Sequence, residues 1–255
     1  MTYYKVVFSL LIIVLFSNII WCQVGIGTSS PNPSSILELN SDNKGFLPPR
    51  MTFEERNNIS SPVAGLMIWC KNCWAKGELQ VFNGYEWTNL VGDNAKAPIA
   101  AGDIYGGGIV GYVYVNGEPG YVEGETHGFI VKATNNSGIV WGCHSINLPG
   151  AEDTQLGGGL QNTTDIVNSC TTTGIAAHVC YYMTENGFSD WVLPSKDELN
   201  KMYINRNLID GFQSTIYYSS SEESANGAWA QSFSNGSQNS VSKSNPYNVR
   251  AIRYF

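Results

Sequence analysis

Charge is scarce in this sequence. Lys, Arg, Asp and Glu make up 14% of its 255 residues, against roughly 25% in an average soluble domain. Positive charge is the scarcer kind, with 14 Lys and Arg against 21 Asp and Glu and a net charge of −7. Phosphate backbones and anionic membranes are gripped by basic patches. This balance therefore excludes nucleic acid as a partner and argues against an anionic bilayer. Histidine is limited to His127, His144 and His178, and His178 lies among apolar residues of a helical stretch. No Gly-x-Ser-x-Gly word is present to raise a serine nucleophile, and no cysteine follows Cys180. Polarity comes instead from Asn, Ser, Thr and Gly, beside 14 Tyr and 7 Trp. That composition suits extracellular, sugar-facing surfaces.

Residues 1–22 read as a secretory signal peptide. Lys5 is their sole charge, and the apolar run Val6 to Phe16 follows it. A membrane span needs about 20 apolar residues; this core is marginal for that, and no basic stop-transfer run follows. Cleavage is expected before Gln23, with a secreted or outer-surface destination. Cys22 adds a lipid-anchored alternative, weakened by Trp21 where such signals want a small residue. Loss of Lys5 leaves 13 basic and 21 acidic residues, a net charge of −8. Five cysteines remain as disulfide candidates in an oxidising compartment: Cys70, Cys73, Cys143, Cys170 and Cys180. An odd count leaves one thiol over. Cys170 and Cys180 are close enough to tie one helix to the next, Cys70 and Cys73 could close a small loop, and Cys143 competes for either partner.

Residues 23–97 read as a small β-rich stalk or oligomerising module ending in a linker. Thr52-Phe53-Glu54-Glu55 fits a capping box. Leu66 to Trp69 and Leu79 to Phe82 read as strands, and Asn83-Gly84 carries a type I′ hairpin signal. Val91 to Ala101 has linker composition, which puts the boundary near Pro98. Residues 98–255 open with strands at Ile109–Val115, Gly128–Ala133 and Ile139–Cys143. Helices are expected over Asn162–Ser169 and Ala176–Glu185, the second ended by Asn186-Gly187. Ser195-Lys196-Asp197-Glu198 is a second capping box, whose helix buries Leu199, Met202 and Tyr203. Short strands and turns close the chain. Strands, then helices, then strands describe an α+β fold.

The candidate chemistry is thin. Gly106-Gly107-Gly108-Ile109-Val110-Gly111 matches G-x-G-x-x-G, but a strand and a hairpin turn follow where a dinucleotide site needs a helix. Cys70-Lys71-Asn72-Cys73 has the spacing of half a zinc site without the other half; a structural bridge is favoured. Asp197 and Glu198 occupy a helix first turn, where carboxylates complement the helix dipole. No enzymatic activity, metal or cofactor is expected.

The last 66 residues carry a set of spaced words: Asp190-Trp191-Val192-Leu193-Pro194-Ser195, Tyr217-Tyr218-Ser219-Ser220-Ser221-Glu222, Ala228-Trp229, Phe233, Gly236 and Val249-Arg250-Ala251-Ile252-Arg253. This string resembles the C-terminal domain of bacterial collagen-like adhesins, the Lcl C-terminal domain, which belongs to the wider C-type-lectin-like group. The resemblance implies a C-type-lectin-like domain of short antiparallel strands and two or three helices, a binding surface without an active site, and adhesion to glycosaminoglycan-like ligands. The acidic balance favours a neutral glycan or a surface protein as partner. Formylglycine-generating enzymes share the broad fold but use cysteines near its C-terminal end, which are missing here. Calcium-dependent lectins carry Glu-Pro-Asn or Gln-Pro-Asp loops; Glu118-Pro119-Gly120 and Asn245-Pro246-Tyr247 match neither. The front segment resembles short modules of surface and phage-fibre-like proteins, which implies a homotrimer. Sugar recognition wants aromatic faces beside amides and hydroxyls. Tyr217, Tyr218, Trp229, Asn235, Gln238, Asn239 and Tyr247 are the candidate ligand-binding residues. Trp191 and Leu193 are assigned to the core, and Arg250 and Arg253 are expected to pair with Glu222, Glu223 or Asp197.

Overall fold

A computed structural model describes residues 23–255; the expected signal peptide and Cys22 lie outside the described residues. The chain divides into two compact units, the first ending at Pro48 and the second running from Pro49 to Phe255. In the first, β1 (Val24–Ile26) and β2 (Leu37–Leu39) pair in parallel, Val24 opposite Leu37 and Ile26 opposite Leu39. Asn32 shapes the loop between them, its side chain accepting from the Ser34 N–H at 2.9 Å.

The second unit opens with β3 (Arg50–Met51), α1 (Phe53–Asn57), β4 (Met67–Cys70), β5 (Glu78–Phe82) and β6 (Trp87–Asn89). The strands form one sheet in the order β3-β4-β5-β6, with β3 parallel to β4 and the rest antiparallel. The expected capping box starts α1: the Thr52 hydroxyl accepts from Glu55 and the Glu55 carboxylate from the Thr52 N–H. Arg56 is 6% exposed; it donates to Gln80 at 2.6 Å and stacks over Phe53. The β5–β6 turn differs from a type I′ hairpin. Gly84 alone takes positive φ, and the Asn83 side chain accepts from the N–H groups of Tyr85 and Glu86, so the amide does the work assigned to backbone geometry. Cys70 and Cys73 are bridged. The expected boundary near Pro98 falls within this unit, where Trp74 pairs with Pro98 and Ala75, Ile99 and Val110 share a small core.

Next come β7 (Ile104–Tyr105), β8 (Gly108–Val113), β9 (Gly128–Val131) and β10 (Asn136–Ile139), then α2 (Gly158–Ser169), α3 (Ala176–Tyr181), α4 (Lys196–Ile204) and α5 (Arg206–Ile209). Five strands close the chain: β11 (Ile216–Glu222), β12 (Gly227–Ser232), β13 (Gln238–Ser242), β14 (Tyr247–Val249) and β15 (Ile252–Tyr254). They build two sheets, β15-β9-β8-β7 and β10-β14-β11-β12-β13. The architecture is α+β, mostly strand with a few short helices. The Gly-rich word is a hairpin turn: Gly106 and Gly107 take positive φ between the paired Tyr105 and Gly108.

Side chains on alternate faces of a strand reach opposite cores. Tyr218, Ala228, Ala230 and Val249 pack with Trp141, Ile166, Ile175 and Trp191. Tyr217 and Phe233 pack with Leu199, Met202 and Ile209. Trp191 and Leu193 are core as expected. The second capping box also forms, with Ser195 and Glu198 exchanging hydrogen bonds.

Several local expectations need correction. Helix α3 stops at Tyr181 rather than Glu185, because Asn186 and Gly187, both at positive φ, form a tight turn bridging Glu185 to Phe188. Cys143 bridges Cys170, leaving Cys180 as a buried free thiol whose pKa burial pushes above the ordinary value. Arg250 meets no carboxylate among the described residues; it is fully buried and donates to the carbonyls of Lys132, Asp210 and Ala133. Arg253 pairs with Asp190. Glu222 is taken instead by Lys243, in an ion pair with side-chain exposures of 2% and 0%.

Candidate functional site

The seven candidate ligand-binding residues do not converge. Tyr217 and Tyr218 are each 0% exposed, which corrects their assignment as ligand contacts: neither ring has a free face. They also point to opposite sides of one sheet, as neighbours on a strand must. Trp229 is partly exposed and lies opposite Ser240 on β13, with the Lys196 ammonium 3.5 Å above its ring. Gln238 shares the face of its cross-strand partner Gln231 and donates to the Lys196 carbonyl. Tyr247 packs on Tyr218 from the other side, with ring centroids 5.3 Å apart. Asn235 is exposed and closes its own turn, accepting from the Ser237 N–H. Asn239 is exposed opposite Ala230, on the Tyr218 face. Trp229 and Gln238 therefore share one side of the sheet, and Tyr247 and Asn239 the other.

A cleft of about 1130 Å³ lies elsewhere in the second unit. One wall comes from the early sheet. Arg50 on β3 stands in register with Trp69 on β4, so both side chains project from one face, and Lys71 and Lys76 follow beyond the strand. The Cys70–Cys73 bridge ties the chain between them. The other wall is built from Tyr105 and Gly106 at the β7–β8 turn, the 123–127 loop, Phe188, and the last residues Arg253 to Phe255. Aromatic rings set its shape: Tyr105 meets Phe255 edge-on at 5.5 Å and Trp74 at 6.0 Å.

Gly106 has a specific reason to be glycine. Its φ is +53°, and a Cβ there would sit 2.5 Å from Ile130 and 2.8 Å from the Arg253 guanidinium. The close approach lets the Gly106 carbonyl accept from Arg253 at 3.1 Å. Arg253 also holds both Asp190 oxygens, at 2.7 and 2.8 Å, and stacks over Phe188 at 4.0 Å. Its hydrogen bonds keep the Asp190 carboxyl below its ordinary pKa. Arg253 is thus a fixed, neutralised brace of the cleft.

The remaining charges are unevenly placed. Arg50, Lys71 and Lys76 line the early-sheet wall, while Glu123 and Glu125 line the opposite loop. Glu125 is engaged with His127 at 2.7 Å, and His127 also meets the Phe255 carbonyl at 3.2 Å. Lys71 is loosely paired with Glu55 at 3.9 Å. Arg50 and Lys76 make no ion pair among the described residues. The arrangement offers aromatic faces between a cationic lip and an acidic lip, which is recognition chemistry.

The sequence reading missed this site because its parts are separated by up to 205 positions along the chain, from Arg50 to Phe255. One signal was available: three of the 13 basic residues after residue 22 fall at Arg50, Lys71 and Lys76 in an otherwise acidic protein.

Comparison with known proteins divides the chain in the same order as its sequence. Residues 25–102 match the phage tail like trimerisation region, and residues 133–253 match the Lcl C-terminal domain. The cleft draws residues from both segments and from the stretch between them. No curated protein matches. Among solved structures, a fimbrial protein from Bacteroides ovatus aligns at 12% identity with a TM-score of 0.40, over 69% of this chain and 56% of that one. The chain thus spans little more than half the length of that fimbrial protein.

Proposed function

From the premise that this chain carries an Lcl C-terminal domain behind a phage-tail-like trimerisation region, we propose that it is an exported recognition protein displayed on a cell surface or fibre. Residues 23–97 gather copies and also supply the Arg50, Trp69, Lys71 and Lys76 wall of the cleft, while residues 98–255 form a C-type-lectin-like domain that supplies the opposite wall. The ligand is an extracellular glycan or a surface protein, held in the cleft beside Trp69 and Tyr105. The observation that carries this reading is the cleft itself, with aromatic walls between lips of opposite charge. A flat ring covers the C–H face of a sugar, and the lips supply hydrogen bonds and charge to its substituents. The site is braced by the Arg253–Asp190 pair, so a ligand meets a largely pre-formed surface.

A glycan array probed with the full chain tests this. Binding to a defined glycan class is expected, with loss of about tenfold or more in Trp69→Ala, the scale of a buried aromatic anchor. Arg50→Gln is a milder second variant that leaves the wall's packing intact. Trp229→Ala, on another surface, should bind normally. A blank array across neutral and acidic glycans, or binding indifferent to Trp69 and Arg50, refutes the cleft as a glycan site. The trimerisation match and the exposed apolar surface of its segment favour a second reading, in which the chain is chiefly an assembly component. A blank array together with an assembled trimer would select it.

A further inference from the structure

The first unit leaves one face of its strand pair bare. Val24, Ile26, Leu37 and Leu39 stand in register on β1 and β2, and paired residues project to the same side. Their exposures are 49%, 58%, 51% and 45%. Four large aliphatic side chains therefore form one continuous stripe with no cover from the described residues of the first unit.

The opposite face is different. Gly25 and Glu38 point that way, and the loop from Thr28 to Ser35 folds over them. Glu38 accepts from the Asn32 N–H at 2.5 Å. A Cβ on Gly25 would lie 2.7 Å from the Thr28 carbonyl and 2.8 Å from Pro31, so glycine is what allows the loop to close down. The unit covers its polar face with its own loop and presents its apolar face outward, the reverse of what an independent fold does.

Two strands alone are marginal in water; a third strand or a packed apolar face is needed for stability. Something must therefore supply that packing. All of the strand pair except Val24 lies within the residues matched by a trimerisation region, which points to further copies of the same chain as the cover. Charge does not oppose this, since the stripe itself carries none. Four half-exposed side chains fall short of the roughly 800 Å² per partner of a stable interface. Ile36, Phe46 and Leu47, exposed at 79%, 65% and 68% in the same unit, add apolar area.

We infer that Val24, Ile26, Leu37 and Leu39 are the self-association surface, packing against the same stripe of two other copies about a threefold axis. This rests on the trimeric reading of the front segment and assigns its contact residues. In a symmetric trimer each stripe meets identical stripes, so one substitution is repeated three times around the axis. Small changes there carry large consequences for assembly.

Sedimentation velocity on the full chain tests the assignment. The wild type is expected at three times the chain mass. Ile26→Glu with Leu39→Glu is expected to sediment as a monomer at the same concentration. Ile26→Thr, which keeps a β-branched strand former and removes apolar area, should raise the dissociation constant by at least tenfold. Leu208→Glu, exposed at 59% in the second unit, should remain trimeric. A wild-type trimer that persists in the Glu double variant and in Ile26→Thr overturns the stripe while leaving the trimeric reading intact. A monomeric wild type overturns both. Monomers from Leu208→Glu as well would show that the loss is not specific to the stripe and would also overturn it.

Discussion

Removing the Lys243 ammonium should be among the most damaging single changes in the second unit. Lys243 is 0% exposed and faces Glu222 at 2%. Its Nζ also donates to the Ile146 carbonyl at 2.9 Å and lies 4.6 Å from the Trp141 ring centre. Glu222 in turn accepts from the Leu148 N–H at 2.9 Å, while its own backbone N–H donates to Ala151. The pair thereby pins the 146–151 loop to the end of β11. Lys243→Met keeps most of the side-chain volume but strands a buried carboxylate and a buried carbonyl. Breaking a buried pair by removing one partner costs about 3–5 kcal/mol. For a domain of this size that corresponds to a fall in Tm of roughly 6–20 °C. Urea unfolding followed by tryptophan fluorescence measures it, and Glu222→Gln/Lys243→Met completes a double-mutant cycle. The double variant should recover part of the loss, because no uncompensated charge remains. A Lys243→Met loss of less than about 1 kcal/mol, or strict additivity in the cycle, would refute the reasoning.

Two further predictions concern covalent and ionisable groups. Cys143 and Cys170, 27 residues apart, close a loop whose release should cost about 3–4 kcal/mol; Cys143→Ser/Cys170→Ser should unfold correspondingly earlier in urea, and an unchanged midpoint would contradict the bridge's role. Glu198 is 0% exposed, and burial raises its carboxyl above 4.5 even though the Ser195 and Gly157 N–H groups and the Tyr254 hydroxyl donate to it. The unfolded chain ionises first as pH rises, so the folded state loses stability from about pH 4.5 up through the raised folded value. Glu198→Gln should flatten that part of the stability profile; parallel wild-type and variant curves between about pH 4 and 7 would rule the effect out.

Local chemistry made much of the fold legible. Thr52 and Ser195 announce their helices because a hydroxyl three residues before a glutamate meets only near neighbours. Trp191 and Leu193 are core because a run of large apolar residues has few other places to go. The helix after Ala176 was misjudged past Tyr181 because Asn186-Gly187 suits a helix end and a two-residue turn equally well. The pairing across the Phe188 bridge decided between them.

The site shows the limit more sharply. Tyr217 and Tyr218 sit in a sequence rich in aromatics and amides, yet both are buried, one on each side of a sheet that has core on both faces. Composition cannot distinguish a ring that meets a sugar from one that meets a neighbouring strand. Arg253 found Asp190 rather than the nearer acids because β15 runs beside β9, bringing its guanidinium to Gly106 and Phe188.

The sequence by itself determined the α+β pattern, the capped helix starts at Thr52 and Ser195, the scarcity of positive charge and the resemblance of the C-terminal segment to the Lcl C-terminal domain. Each is a property of neighbouring residues or of the chain as a whole, and none requires distant parts to meet. Tertiary structure alone decided which of the five described cysteines stays free, which lysine answers Glu222, and that Arg50, Trp69, Tyr105 and Phe255 face one cleft. Those outcomes depend on which strands pair and in what register, and register is set by the packing of every face at once.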